Sequence, residues 1–353
     1  MPFITPSFDD IRDNILRDIR NLNPDADTGT DSDYYVRASS VASVATGIYQ
    51  HQGWIVRQIF PDTADTEFLE WHARTRSLYK KSATTASGLL TLTGEPGASA
   101  DAGYTVTRGD LSYVTTAAVT LNSQGNGTVT ANAATTGESG NTTASVTGTF
   151  SATPTGFDST VIIGVMSGGT DRESDSSLLS RLLELIRRPP AGGNKYDYRR
   201  WAMSVDGVTD AYVYPLRRGP GTVDVVITSA GGPPSADIIA ATQTYIDEQR
   251  PVTAKNTIIL APTLKTVGLD IRVSVSGITL AEATASIMAA ITDYINGLSP
   301  GEIFIKSQAE MIVSQISGVT DRNIVSPAGN VIPAVSAAVV EWLRPGVIQV
   351  GSL

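Results

Sequence analysis

The chain has 353 residues, no cysteine, two histidines and a formal net charge of -9 from 26 basic and 35 acidic side chains. That length suits two or three domains of ordinary size. The missing thiols exclude disulfides and thiolate metal sites, the acidic balance argues against an electrostatic grip on nucleic acid, and no long apolar run offers a membrane span.

The first stretch, "MPFITPSFDDIRDNILRDIR", lacks the basic region and apolar run of a secretory leader, so assembly in a cytoplasm is expected. Phe8, Ile11, Ile15, Leu16, Ile19 and Leu22 recur at steps of one, three and four, which predicts an amphipathic helix over 7–22 with Ser7 and Asp10 as a capping pair. After the break "NPDADTGTDSD", residues 34–59 predict a longer helix with few charges and many small residues, Ala38, Ala42, Ala45 and Gly47 among them. A third helix follows "FPDTADTEF" and carries Phe68, Leu69 and Trp71. Two readings stand open for these helices: the core of a small bundle, or a seam for helices of another chain.

From Ala83 the composition turns to Thr, Gly, Ala, Ser and Val in short alternating runs such as "GLLTLTG", "LSYVTTAAVTL" and "GTVTANA", which predicts an all-β domain over 83–167. Thr-rich β domains often bind receptors or glycans. The aromatic residues such a site would use are few here: Tyr104, Tyr113, Phe150 and Phe157.

Beyond Gly168 helices and strands alternate. Leu178, Leu179, Leu182, Leu183, Leu185 and Ile186 form an apolar helix face that Pro189 and Pro190 end, and Tyr198, Trp201 and Ala202 mark a second helix. Strands are expected in "VTDAYVYP", "GTVDVVITS", "NTIILAP" and "KTVGLDIRVSV", with helices over 235–249 and, after the capping pair Thr279 and Glu282, through Asn296-Gly297. "VDGVTD" (205–210) recurs as "ISGVTD" (316–321), each after a long helix, a Gly/Pro break and a short helix. That shared order makes an internal duplication a candidate reading. The expected fold is therefore α+β and multidomain: a helical region over 1–82, a β domain over 83–167, and α/β units over 168–265 and 266–353.

The acidic run "GGTDRESD" has two readings. As a cation site it would use Asp171, Glu173 and Asp175, but the Gly and closing Glu of a calcium loop are replaced by the helical "SSLLSRLL". As structure, Thr170 with Glu173, or Asp171 with Ser174, caps the helix, and the acids of Asp171, Glu173 and Asp175 suit its dipole. The structural reading is the stronger. "RRGPG" (217–221) reads as a hairpin turn rather than an anion site, and His51 and His72 lack any flanking ligand set. No nucleophile elbow, phosphate loop or dinucleotide fingerprint is present, so no catalytic, cofactor or metal residue is assigned.

The run 168–215, the segment "FPDTADTEFLEWHARTRSLYKKSATTASG" (60–88) and "GESGN" (137–141), in this order, resemble the baseplate J-like protein family. The resemblance covers essentially the whole chain. It implies a non-enzymatic wedge component of a contractile phage tail or related injection machine, without cofactor, membrane or nucleic acid. It further implies that two copies join a smaller wedge protein through their N-terminal helices, and that neighbouring wedges close a ring around the tail hub or spike in the virion baseplate. A glycan- or receptor-binding adhesin is the alternative.

Overall fold

The computed structural model describes residues 5–353, and the chain divides into two compact units. The first contains residues up to Lys80 together with Ser174–Arg187; the second contains Lys81–Glu173 and Arg188–Leu353.

In the first unit, helix α1 (Phe8–Leu22) opens on a capping box in which Ser7 accepts from the Asp10 N–H while Asp10 receives the Ser7 N–H. It packs against α2 (Asp33–Ile59), where Leu16 is buried and the buried α2 residues Ala38 and Ala42 allow close approach. Helix α3 (Thr66–Arg74) and helix α4 (Asp175–Arg187) are far apart in sequence yet share a core of Leu69, Ala73, Leu78, Leu178 and Leu182.

The second unit begins with a closed antiparallel barrel. Its six strands are β1 (Thr85–Gly94), β3 (Thr105–Arg108), β4 (Leu111–Thr115), β6 (Asn126–Thr136), β7 (Val146–Phe150) and β8 (Phe157–Ser167), in the order β1-β6-β4-β3-β7-β8. A two-stranded ribbon of β2 (Ser99–Ala100) and β5 (Val119–Thr120) forms a separate sheet whose Ala100 and Val119 join the barrel core. Alternation sends Leu90, Leu92, Val106, Tyr113, Val129, Val161 and Ile163 inward, while Thr side chains decorate the outside. Tyr113 is fully buried and its hydroxyl donates to the Gly140 carbonyl. Closure leaves no free edge.

Two α/β modules follow. The first has α5 (Lys195–Met203), β9 (Asp210–Pro215), β10 (Thr222–Thr228), α6 (Ala236–Gln249) and β11 (Asn256–Leu260), with sheet order β11-β10-β9. The second has β12 (Thr263–Val275), α7 (Leu280–Asn296), α8 (Lys306–Ser314), β13 (Val319–Ser326) and β14 (Glu341–Ser352), with sheet order β13-β12-β14. In each sheet the central strand has one antiparallel and one parallel neighbour. The chain order differs: the short helix and antiparallel strand (α5–β9) precede the central strand in one module, whereas α8–β13 follow it in the other. The repeated "GVTD" lies at equivalent places. Gly207 and Gly318 both have positive φ (84° and 88°), and a Cβ on either would strike an isoleucine, Ile238 in the first turn of α6 or Ile278 just before α7. The counterpart of α7 is thus α6, which follows its central strand in the same way. The long helix that precedes "VDGVTD" in sequence, α4, belongs to the other compact unit.

Candidate assembly surfaces

The acidic run does not converge on one point. Asp171 accepts the Glu138 N–H at 3.1 Å, at the start of a single 3-10 turn. Glu173 is buried, and its Oε2 accepts the Lys81 N–H at 3.0 Å. Asp175 pairs with Lys80, and the Thr170 hydroxyl meets that of Thr84. The side-chain hydrogen bond at the start of α4 comes from Ser174, whose Oγ accepts the Ser177 N–H at 3.2 Å. Among the described residues no group of three or more His, Asp or Glu side chains is placed to hold a metal ion.

The other polar motifs are equally self-satisfied. Arg217 and Arg218, in the β9–β10 hairpin, both bond the fully buried Asp224, at 2.6 and 2.7 Å. His72 Nε2 lies 2.7 Å from the Gln58 carbonyl, while His51 stacks on Trp54. Sequence reasoning missed Asp197, which is buried in the "GGNKYD" turn. Its carboxylate accepts N–H groups of Ala191, Gly193 and Asn194 and pairs with Arg200. Burial pushes this carboxyl up, yet those donors and Arg200 outweigh it and hold it below the ordinary Asp value. Its signal was legible: Asn194 with Asp197 is a capping box.

The barrel offers little to a sugar. Tyr113, Phe150 and Phe157 are buried in its core and Tyr104 packs against that core. A groove of about 720 Å³ beside the first turn of α6 is lined by Ser87, Leu89, Thr130, Asn132, Val165 and Asp237 with no aromatic ring on its walls.

The first unit also exposes large apolar side chains. On α2, Val41, Val44, Ile48, Ile55 and Ile59 are 57, 66, 55, 45 and 58 % exposed. Their steps of three, four, seven and four keep them on one side of the helix, the spacing of a coiled-coil seam. Leu22, at the end of α1, is 89 % exposed. The other α1 residues expected at an interface divide: Leu16 is buried, whereas Phe8, Ile11, Ile15 and Ile19 are half-buried. On α3, Leu69 is buried and Phe68 half-buried between the rings of Trp54 and Trp71. No helix of the described residues is long and apolar enough to cross a membrane.

Comparison with known proteins adds to this picture. The chain is 31 % identical over 304 residues to the Mu-like prophage FluMu protein gp47 of Haemophilus influenzae, covering 82 % of this chain and 84 % of that one. It is 31 % identical over 325 residues to the baseplate protein gp47 of Escherichia phage Mu, covering 87 % and 89 %. A chain of the anti-feeding prophage baseplate aligns over 94 % of this chain and 90 % of its own, with TM-score 0.40 and 11 % identity. Residues 89–169 match the Baseplate J-like protein barrel domain, 190–260 the Baseplate J-like central domain and 267–351 the Baseplate J-like protein C-terminal domain. With three successive domains matched in order and relatives aligned over most of their length, the chain belongs to the baseplate J-like protein family.

Proposed function

We propose that this protein is a structural component of a phage tail baseplate, and within it a wedge subunit of a contractile tail that carries out no catalysis. The observation that carries the reading is the exposed α2 stripe, taken with the Mu relative that is itself a baseplate protein. Two copies pair with a smaller wedge protein through α1 and α2, which buries the stripe. The α/β modules bond neighbouring wedges into a ring around the hub or spike, and that ring rearranges between alternative packings on contraction. The domains act as four regions, 1–82, 83–167, 168–265 and 266–353, and assembly takes place in the host cytoplasm before the subunit joins the virion.

The test is coexpression with the products of neighbouring tail genes, with mass read by light scattering. A defined complex holding two copies of this chain is the expected result, lost when residues 1–30 are deleted while the rest stays folded. A stable monomer that ignores every tail partner overturns the reading.

A further inference from the structure

The two α/β modules keep separate apolar cores. One gathers Tyr198, Val208, Val225, Ile227 and Ile246, the other Leu269, Ile271, Ile287, Phe304 and Leu343, and no residue belongs to both. Val226 and Trp342 are buried outside either cluster.

Directional polar contacts join the modules. The Tyr214 hydroxyl donates to the Pro300 carbonyl at 2.5 Å. Arg344 donates through Nη2 to the Gly231 carbonyl at 2.5 Å and through Nη1 to the Asn296 carbonyl at 3.2 Å, and its guanidinium lies over the Trp342 ring. Arg217, anchored on Asp224, donates to the Ser336 carbonyl. The acceptors on Pro300, Gly231 and Ser336 are backbone carbonyls on turns, and the Tyr212 phenol meets the Ser299 side chain across the same joint. The turns are shaped for this: a Cβ on Gly301 would stand 3.1 Å from the Tyr214 oxygen, and Ala230 is held at φ 46° beside Gly231.

Such a joint and such cores respond differently to displacement. Hydrogen bonds lose their strength steeply once stretched or bent, and few of them hold the joint. The cores hold through many non-directional contacts. We propose that this joint is a clasp: the modules 195–260 and 263–353 are two rigid bodies that part at Tyr214, Arg217 and Arg344, with both cores intact, when the assembled particle is under load. The load rests on the baseplate reading; the clasp itself does not.

Because the chain has no cysteine, a single engineered thiol reports the joint. Pro300 is buried, and a Pro300→Cys thiol in the full chain is shielded from maleimide while the clasp is closed; Val226→Cys, at a fully buried position outside both cores and directly opposite Tyr212 in the sheet, is the second reporter should the first fail to fold. Adding Tyr214→Phe and Arg344→Gln is expected to speed labelling roughly five- to tenfold per lost contact. Hydrogen exchange within α6 and α7 is expected to stay at the parent rate. Unchanged labelling, or exchange in α6 or α7 that rises with it, overturns the clasp. In assembled tails, faster labelling after contraction than before supports release under load, and equal rates overturn it. If the chain never enters tails, the baseplate reading fails while the result on the isolated chain stands.

Discussion

The Lys80 ammonium lies 2.5 Å from the Asp175 carboxylate, joining the segment that follows α3 to the first turn of α4. Glu70 sits 3.0 Å away on the same ammonium, and the Thr66 hydroxyl donates to the other Asp175 oxygen. Asp175 first and Glu70 second raise the Lys80 pKa, so this contribution is present in full below the ordinary Lys value and is lost as pH rises through the folded value. The apolar contact beneath is expected to matter more. Leu178→Ala should cost about 2–5 kcal/mol and Lys80→Met about 1 kcal/mol or less. Hydrogen exchange of the α4 amides in both variants checks the ranking.

Asp197 supplies the acid-sensitive element of the first α/β module. Removing its carboxylate takes a partner from the N–H groups of Ala191, Gly193 and Asn194 and from Arg200, so Asp197→Ala should destabilise by about 1–3 kcal/mol near neutral pH. Its folded pKa is lowered, so its contribution is complete above the ordinary value of about 3.9 and fades as pH falls through the lower folded value. Urea titrations of parent and variant at pH 7 and pH 3 should show the difference narrowing at the lower pH. A constant difference would contradict the assignment.

Gly88 sits at the β1–β8 seam that closes the barrel. A Cβ there would stand 2.4 Å from the Val165 carbonyl oxygen and 2.7 Å from the Met166 sulfur. Gly88→Ala should therefore cost about 1–3 kcal/mol. Gly47, on α2, has nothing within 4 Å of its Cβ position, and Gly47→Ala should stabilise the isolated chain by about 0.5–1 kcal/mol. Chemical denaturation distinguishes the signs.

Charges placed on the α2 stripe separate folding from assembly. Val44→Asp with Ile48→Asp alters exposed side chains only, so the isolated chain should stay within about 1 kcal/mol of the parent. Light scattering of the coexpressed proteins should find the heteromeric complex gone. A complex that forms normally would place the wedge contact elsewhere.

Local signals were legible where the cause is local. The capping boxes at Ser7–Asp10 and Thr279–Glu282 lie in the sequence as they lie in the structure, and the Thr-rich alternation announced strands. What depends on remote partners was not legible. Nothing in "SSLLSRLLELIR" names α3 as its neighbour, and the acids of "TDRESD" look alike although Glu138, Lys81 and Lys80 each claim a different one. Barrel closure rests on the β1–β8 pairing of the two ends of the domain. Strand β14 hides because Pro345 and Gly346 interrupt its pattern, a break that the structure absorbs as a register shift opposite Gly268. The permuted order of the second sheet escapes a linear comparison because equivalent strands occupy different places in the chain.

The pairing of Lys81 with Glu173, and of Thr84 with Thr170, brings the two ends of the barrel side by side. A segment whose ends meet can be lengthened, shortened or exchanged between them without displacing the flanking chain. The barrel is in this sense a cassette. Evolution can refit its outer surface to a new neighbour while the cores on either side of the splice keep their packing.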